Sequence, residues 1–383
     1  MAGGGERKGI GRSRFVGGAA AGTLGALAGL GAFGTARAGA AGGDRRGGLT
    51  LRGVNYEVTD GESPATGWNA RRMRADLRAI RDALHAGSVM VFGDGVERLA
   101  ATAEEAAGLG LHVWLQPRLG DVPEADILEH LAETGRRAEH MRRQGARVHL
   151  HVGCEFVLFV PGIVPGADAV ERVRNLLDGT YDPVHMAREL RRFTGLAART
   201  GRSVFRGALT YGAAHGEEVD WDLFDIVSVN YYEYHRDRAA YARELSAYRR
   251  WGRPVAISEC GTCTFEGAPE AGGMGWDVVD YGPYPPEIRG GLVRSERAQA
   301  AYLAEVMDVF ESLSLYSATV YSFVTPDAPH WPGDPLHDLD IASYSLVRTI
   351  RGGDPSAPGP DWHWEPKESF RTLARLFARA RRS

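Results

Sequence analysis

The sequence predicts an α/β chain folded as a single (β/α)8 TIM barrel, and three observations carry that prediction. Eight apolar runs of strand character alternate with segments of helical period along most of the chain. Closure at eight strands leaves no edge exposed. The first strand runs into Gly53-Val54-Asn55-Tyr56, which is not the glycine-rich phosphate loop that an open doubly wound sheet places there. A length of 383 residues, 44% hydrophobic and 25% charged, suits one large unit of this kind. Neither an internal repeat nor a second domain is legible.

The elements follow in order. Leu49–Val54 reads as strand one, and 70–85 as a helix with Met73, Leu77, Ile80 and Leu84 on one face. Residues 88–92 form strand two, 95–109 a helix, 112–116 strand three and 126–143 a helix. Strand four, 148–153, leads into a long excursion through 158–166, with helical period resuming over 168–177 and 183–199. Strand five is placed at 204–209, strand six at 226–231, a helix at 237–251 and strand seven at 255–258. A helix over 295–312 precedes strand eight at 318–323, and 364–381 is read as a closing helix. The loops after strands four, seven and eight are long, and in such a barrel they wall the face where active sites are built.

Charge and composition narrow the function. The net charge is −4, but residues 1–38 hold five basic groups and one acid, so the remainder carries 40 basic against 48 acidic groups, or −8. A mildly acidic body lacks the basic footprint that nucleic acid requires. Residues 1–38 read as an export signal of twin-arginine type: Arg12-Ser13-Arg14-Phe15, a glycine- and alanine-rich core, then Ala36-Arg37-Ala38 for cleavage. The expectation is a secreted or extracytoplasmic protein with a linker at 39–48 and the barrel over 49–383. No later stretch reaches the ~20 apolar residues of a membrane span. Three cysteines, Cys154, Cys260 and Cys263, make no disulfide framework.

Two glutamates carry the functional reading. Glu155 closes the apolar run of strand four and Glu259 that of strand seven. A carboxylate at the end of a buried strand is costly without a partner or a task. Two of them on strands that face each other across a barrel mouth point to glycosidic bond cleavage, where one carboxyl protonates the leaving oxygen and the other attacks. Structural ion pairs with an arginine inside the barrel are the bland alternative.

In these positions the chain resembles the clan A glycoside hydrolases, whose barrels carry an acid/base glutamate after strand four and a nucleophile after strand seven. The resemblance implies Glu155 as acid/base, Glu259 as nucleophile, a retaining reaction, and Tyr231 or Tyr232 as the ring that orients the nucleophile. The chain departs from the clan at three points. Cys154 stands where Asn precedes the acid/base, Met90 where an arginine closes strand two, and Phe323 where Trp ends strand eight. The first two losses remove a donor to the sugar and a charge partner for the nucleophile. Glu259-Cys260-Gly261-Thr262-Cys263-Thr264-Phe265-Glu266-Gly267-Ala268, 272–276, 337–344 and Trp364-Glu365-Pro366-Lys367 are similar to an uncharacterised actinobacterial barrel family often labelled "abortive infection protein". That label implies no chemistry.

Asn55, Tyr56, Asp94, Tyr231, Tyr232, Trp276, Phe323 and Asp338 complete the candidate contacts to a carbohydrate or glycoside substrate. No cofactor and no metal site is expected, and the sequence leaves the oligomeric state open. His149 and His151 share one strand face with Glu155 and read as core histidines, with metal ligation or proton relay as alternatives. Cys260 and Cys263 have the spacing of a redox pair, yet they follow a strand in a loop instead of opening a helix. With Cys154 they form an alternative thiol-rich zinc set. Two rival functions remain: a carbohydrate-binding barrel that has lost catalysis, and a metal-dependent hydrolase.

Overall fold

A computed structural model describes residues 48–381. The expected export signal at 1–38 and nearly all of the linker at 39–48 lie outside the described residues. Eight parallel strands close into a barrel: β1 (Leu51–Val58), β2 (Ser88–Gly93), β3 (His112–Pro117), β4 (Val148–Cys154), β5 (Leu209–Ala214), β6 (Val227–Asn230), β7 (Val255–Glu259) and β8 (Ser317–Val320). Neighbours in sequence are neighbours in space, and β1 closes the ring against β8 with Gly53 opposite Thr319. The fold class predicted from sequence is therefore the fold observed.

Helices α1 (Ala70–Arg78), α2 (Val96–Gly108), α3 (Glu124–Arg143), α4 (Phe156–Phe159), α5 (Ala169–Leu177), α6 (Pro183–Val204), α7 (Arg238–Ala247), α8 (Glu296–Ser312) and α9 (Glu368–Ala380) follow the strands. Their starts are written in the chain. Asn69, Asp168, Asp182, Asp237 and Ser295 each accept a hydrogen bond from a first-turn amide, and Pro183 opens α6. Between α3 and α6 the approach is close: a Cβ at Gly135 would stand 2.5 Å from Val204 Cγ2, so only glycine fits. Among the described residues no helix is long and apolar enough to cross a membrane.

β1 runs on to Val58, four residues past the expected end of strand one, and three later boundaries also depart from expectation. Strand five lies at 209–214, not 204–209, because α6 keeps its period to Val204 and the true strand is Leu-Thr-Tyr-Gly-Ala-Ala, poor in branched residues. At Gly212 the strand passes close to β3, and a Cβ there would lie 3.0 Å from Gln116 Nε2. The eighth strand stops at Val320, so Phe323 sits beyond it. Trp364 does not open the closing helix. It belongs to a hairpin of β9 (Val347–Asp354) and β10 (Ala357–Pro366), and α9 starts only at Glu368.

The barrel interior is unusually polar on one side. Residues two apart on a strand share a face, and β3 presents His112, Trp114 and Gln116 inward, with Arg118 just past its end. His149 and His151 of β4 pack beside them, the His112 and His149 rings 4.3 Å apart. Burial pushes His149 down to about 4 and His151 to about 3, so both are neutral core histidines at ordinary pH.

Candidate active site

β4 and β7 deliver the two glutamates to one place. Glu155 follows β4 with its backbone in the left-handed region (φ 40°, ψ 57°), a conformation costly for a residue with a side chain. Its amide donates to the Gly212 carbonyl at 2.8 Å, which anchors the twist to β5. Glu259 ends β7 in register with Asn230 of β6. Both side chains have no exposed surface.

Four neighbours organise the pair. Asn230 Nδ2 donates to Glu155 Oε1 at 2.7 Å and lies 3.3 Å from Cys154 Sγ. The Cys154 thiol in turn stands 3.9 Å from Glu259 Oε1. Tyr232 donates its hydroxyl to Glu259 Oε2 at 2.7 Å. Arg118 pairs with Glu259 Oε1, is steadied by Gln116 Oε1 at 3.1 Å, and lies over the Phe92 ring at 4.2 Å. One guanidinium thus stands among two carboxyls, and Glu155 Oε2 and Arg118 Nη1 have no hydrogen-bond partner.

The electrostatics separate the two acids. Burial, then the charge of Glu259, drives Glu155 well above the usual carboxylate range. Glu259 is also raised by burial, but Arg118 and the Tyr232 hydroxyl oppose the shift. Glu155 is therefore the group that holds its proton, and Glu259 is the one whose anion has support. That division matches what an acid and a nucleophile need.

A cleft opens beside this pair, at the rim between β1 and the loops after β8. Tyr56, Glu57, Trp68, Trp276, Tyr321, Asp327 and Trp362 are among its walls; Glu155 and Glu259 are not. Between cleft and glutamates stand two rings. Tyr321 walls the cleft, and its ring centroid is 6.5 Å from that of Tyr232, which holds Glu259.

The residues expected to bind substrate divide accordingly. Tyr56 and Trp276 wall the cleft, and Tyr232 reaches Glu259. Tyr231 points away, donating to Glu244 of α7 at 2.6 Å. Asn55 is buried and donates to the Ser258 carbonyl at 3.1 Å. Asp94 pairs with Arg98 at 2.9 Å. Phe323 packs on Trp364, ring centroids 5.3 Å apart. Asp338 is buried under the loop after β8, held by His330 Nδ1 at 2.8 Å, and is absent from the cleft walls. These five side chains are engaged by the scaffold.

The cysteines do not gather. Cys260 donates to the Thr319 carbonyl and Cys263 to that of Ala342, and all three are buried free thiols. Among the described residues no group of three or more His, Cys, Asp or Glu is placed to hold a metal. Arg118, Asn230 and Glu57 escaped the sequence reading. Each is a polar residue two positions beyond another inward residue on its strand (Gln116, Ser228, Asn55), and that alternation was the available signal.

No family model matches the sequence, and no curated protein matches it. Solved structures do resemble it. A calcium-binding mutant of Bacteroides uniformis beta-glucuronidase 2 aligns at a TM-score of 0.51 and 14% identity, over 86% of this chain and 34% of that one. Parabacteroides merdae beta-glucuronidase, solved with glycerol in its active site, aligns at 0.52 and 14% identity, over 86% of this chain and 36% of that one. The chain spans about a third of the length of each. At this identity the likeness is one of fold.

Proposed function

We propose that the chain is a glycoside hydrolase acting through a retaining, two-carboxylate mechanism. The observation that carries this reading is the meeting of Glu155 and Glu259 in one desolvated network that favours the proton on the first and the anion on the second. In the scheme, Glu259 attacks the anomeric carbon while Glu155 protonates the departing oxygen. Glu155 then takes a proton from water, which displaces the sugar from Glu259. Arg118 fills the role of charge partner that Met90 cannot, and Asn230 places an amide beside the acid as Cys154 cannot. The two fold neighbours named above are beta-glucuronidases, which makes O-glycosidic chemistry the first to test.

Purified protein should release nitrophenol from at least one member of an aryl glycoside panel, and Glu259→Ala should not. Proton NMR of the first-formed sugar should show the anomer of the substrate; the opposite anomer would refute the retaining step. We also propose that residues 1–38 direct export, which loss of secretion on their deletion would support.

A second reading, a sugar-binding barrel without turnover, is favoured by one observation: both carboxyls are fully buried and Glu259 already has a buried cation. Sugar binding by calorimetry with no turnover across the panel would establish it. On the hydrolase reading, the Tyr321 ring moves when substrate enters.

A further inference from the structure

Glu155 is reached by a chain of hydrogen bonds that comes from outside the network around Glu259. Two consecutive residues of β5 hold two consecutive amides of the turn that carries the acid. The Gly212 carbonyl takes the Glu155 N–H at 2.8 Å, and the Tyr211 hydroxyl takes the Phe156 N–H at 2.7 Å. The Glu155 carbonyl accepts from the Leu158 amide at 2.8 Å, so the peptide after Glu155 is fastened at both its N–H and its C=O. A left-handed backbone at a residue with a side chain persists only where its surroundings over-determine it, and these three bonds do so.

The Tyr211 hydroxyl is free to accept there because its proton is committed elsewhere. It donates to Glu217 Oε2 at 2.9 Å, and the same oxygen accepts from the Ala214 amide at 2.9 Å. Glu217 donates its own amide to the Ala214 carbonyl at 3.1 Å, which closes the loop after β5 on itself. The Phe156 and Phe224 rings flank the tyrosine, centroids 4.6 and 6.4 Å away, and Tyr211 is fully buried. Hydrogen bonds that run one way, from amide to hydroxyl to carboxylate, polarise one another and define a single hydroxyl orientation. A carboxyl that merely closed the loop would stop at Ala214; the relay through Tyr211 ends instead on the residue next to the acid.

We propose that Tyr211 and Glu217 are positioning residues for Glu155, fixing the turn from which its carboxyl reaches the leaving oxygen and setting a negative charge behind it. This rests on the retaining reading above. Neither residue hydrogen-bonds to the Glu155 carboxyl, so they act through the backbone and the local field. Burial raises Glu217 itself to about 7. After burial and the charge of Glu259, Glu217 is a further group that favours the proton on Glu155, with Asn230 and Arg118 opposing. Cys154 beside the acid and Tyr232 after β6 complete the titratable groups around it.

The test is kcat/KM of the full chain on a dinitrophenyl glycoside and on an alkyl glycoside of the same sugar. Tyr211→Phe keeps the ring and removes the acceptor of the Phe156 amide. It should lose about tenfold or more on the alkyl glycoside, whose leaving group needs the proton, and less than about threefold on the dinitrophenyl glycoside. Glu217→Gln keeps an acceptor for Tyr211 without the charge, and it should move the alkaline limb of kcat/KM to lower pH. Equal losses of Tyr211→Phe on the two substrates, or no loss on either, would overturn the inference. So would an unmoved alkaline limb in Glu217→Gln, which decides the matter alone should Tyr211→Phe lack native circular dichroism. Each of these leaves the hydrolase reading standing, because the wild-type chain still turns over. A wild-type chain that cleaves neither glycoside, nor any member of the aryl panel, would overturn both.

Discussion

Lys367 and Glu259 are both fully buried charged groups at the upper end of the barrel, and what surrounds them differs. Lys367, just after β10, lies 2.8 Å from Asp340 and 2.9 Å from the Thr264 hydroxyl. Asp340 is joined at 2.6 Å by Arg294, which also meets Glu296 at 3.0 Å, and Glu296 meets Arg348 at 2.7 Å. Each charge there faces an opposite one, and the chain of pairs ties the loops after β7 and β8 to the hairpin. Around Glu259 one arginine serves two carboxyls, and a backbone is twisted into the left-handed region. A buried cluster that closes on itself holds a fold together; one left incomplete is where strain and shifted protons collect.

The comparison can be broken experimentally, most sharply at Glu259. Glu259→Ala should lower turnover of an aryl glycoside by about 10³-fold or more while leaving a folded protein. Retained activity would place Glu259 with Lys367 as structural. Glu155→Gln should cost about 10²–10⁴-fold with leaving groups that need a proton, and much less with a good leaving group such as dinitrophenol.

Lys367→Met should act in the opposite way. It leaves Asp340 buried with one fewer partner and should destabilise by ~3–5 kcal/mol, read as a lowered urea midpoint. The kcat of the folded fraction should not change.

The pH dependence sharpens the assignment. The proposed mechanism needs Glu259 ionised and Glu155 protonated, and burial raises both. The acid limb, where Glu259 gains a proton, and the alkaline limb, where Glu155 loses one, should therefore both lie above the range of ordinary carboxylates. Glu155→Gln should abolish the alkaline limb of kcat/KM.

The smallest expected effect is on stability. Glu57 moves from its ordinary 4.5 to about 7, so the fold holds that proton more tightly than the unfolded chain does. The resulting stabilisation is complete below pH 4.5 and is lost as pH rises to 7. Glu57→Gln should flatten the unfolding free energy across that window.

The barrel and the two strand-end glutamates were legible because period and strand count are local signals. The partners were not. Arg118 comes to Glu259 from β3 and Asn230 to Glu155 from β6, contacts that exist only once strands distant in sequence are curled into register. Asp338 and Phe323 looked available in loops rich in polar and aromatic residues, yet Arg294, His330 and Trp364 had already engaged them. The hairpin of β9 and β10 was hidden because its apolar residues, Trp362 and Trp364, anchor by their indole N–H groups to Ala65 and Asp76. A strand period is faint when the burial is of that kind.

The position of the cleft has one more consequence. It straddles the seam where the earliest strand meets the latest, with Tyr56 and Glu57 on one bank and Tyr321 and Asp327 on the other. Joining those banks is the longest-range strand pairing among the described residues, and such pairings are formed at high entropic cost. A molecule seated there would act as a latch on the ring, so occupancy should slow the opening of the seam and protect the β1 amides that bond across it from hydrogen exchange.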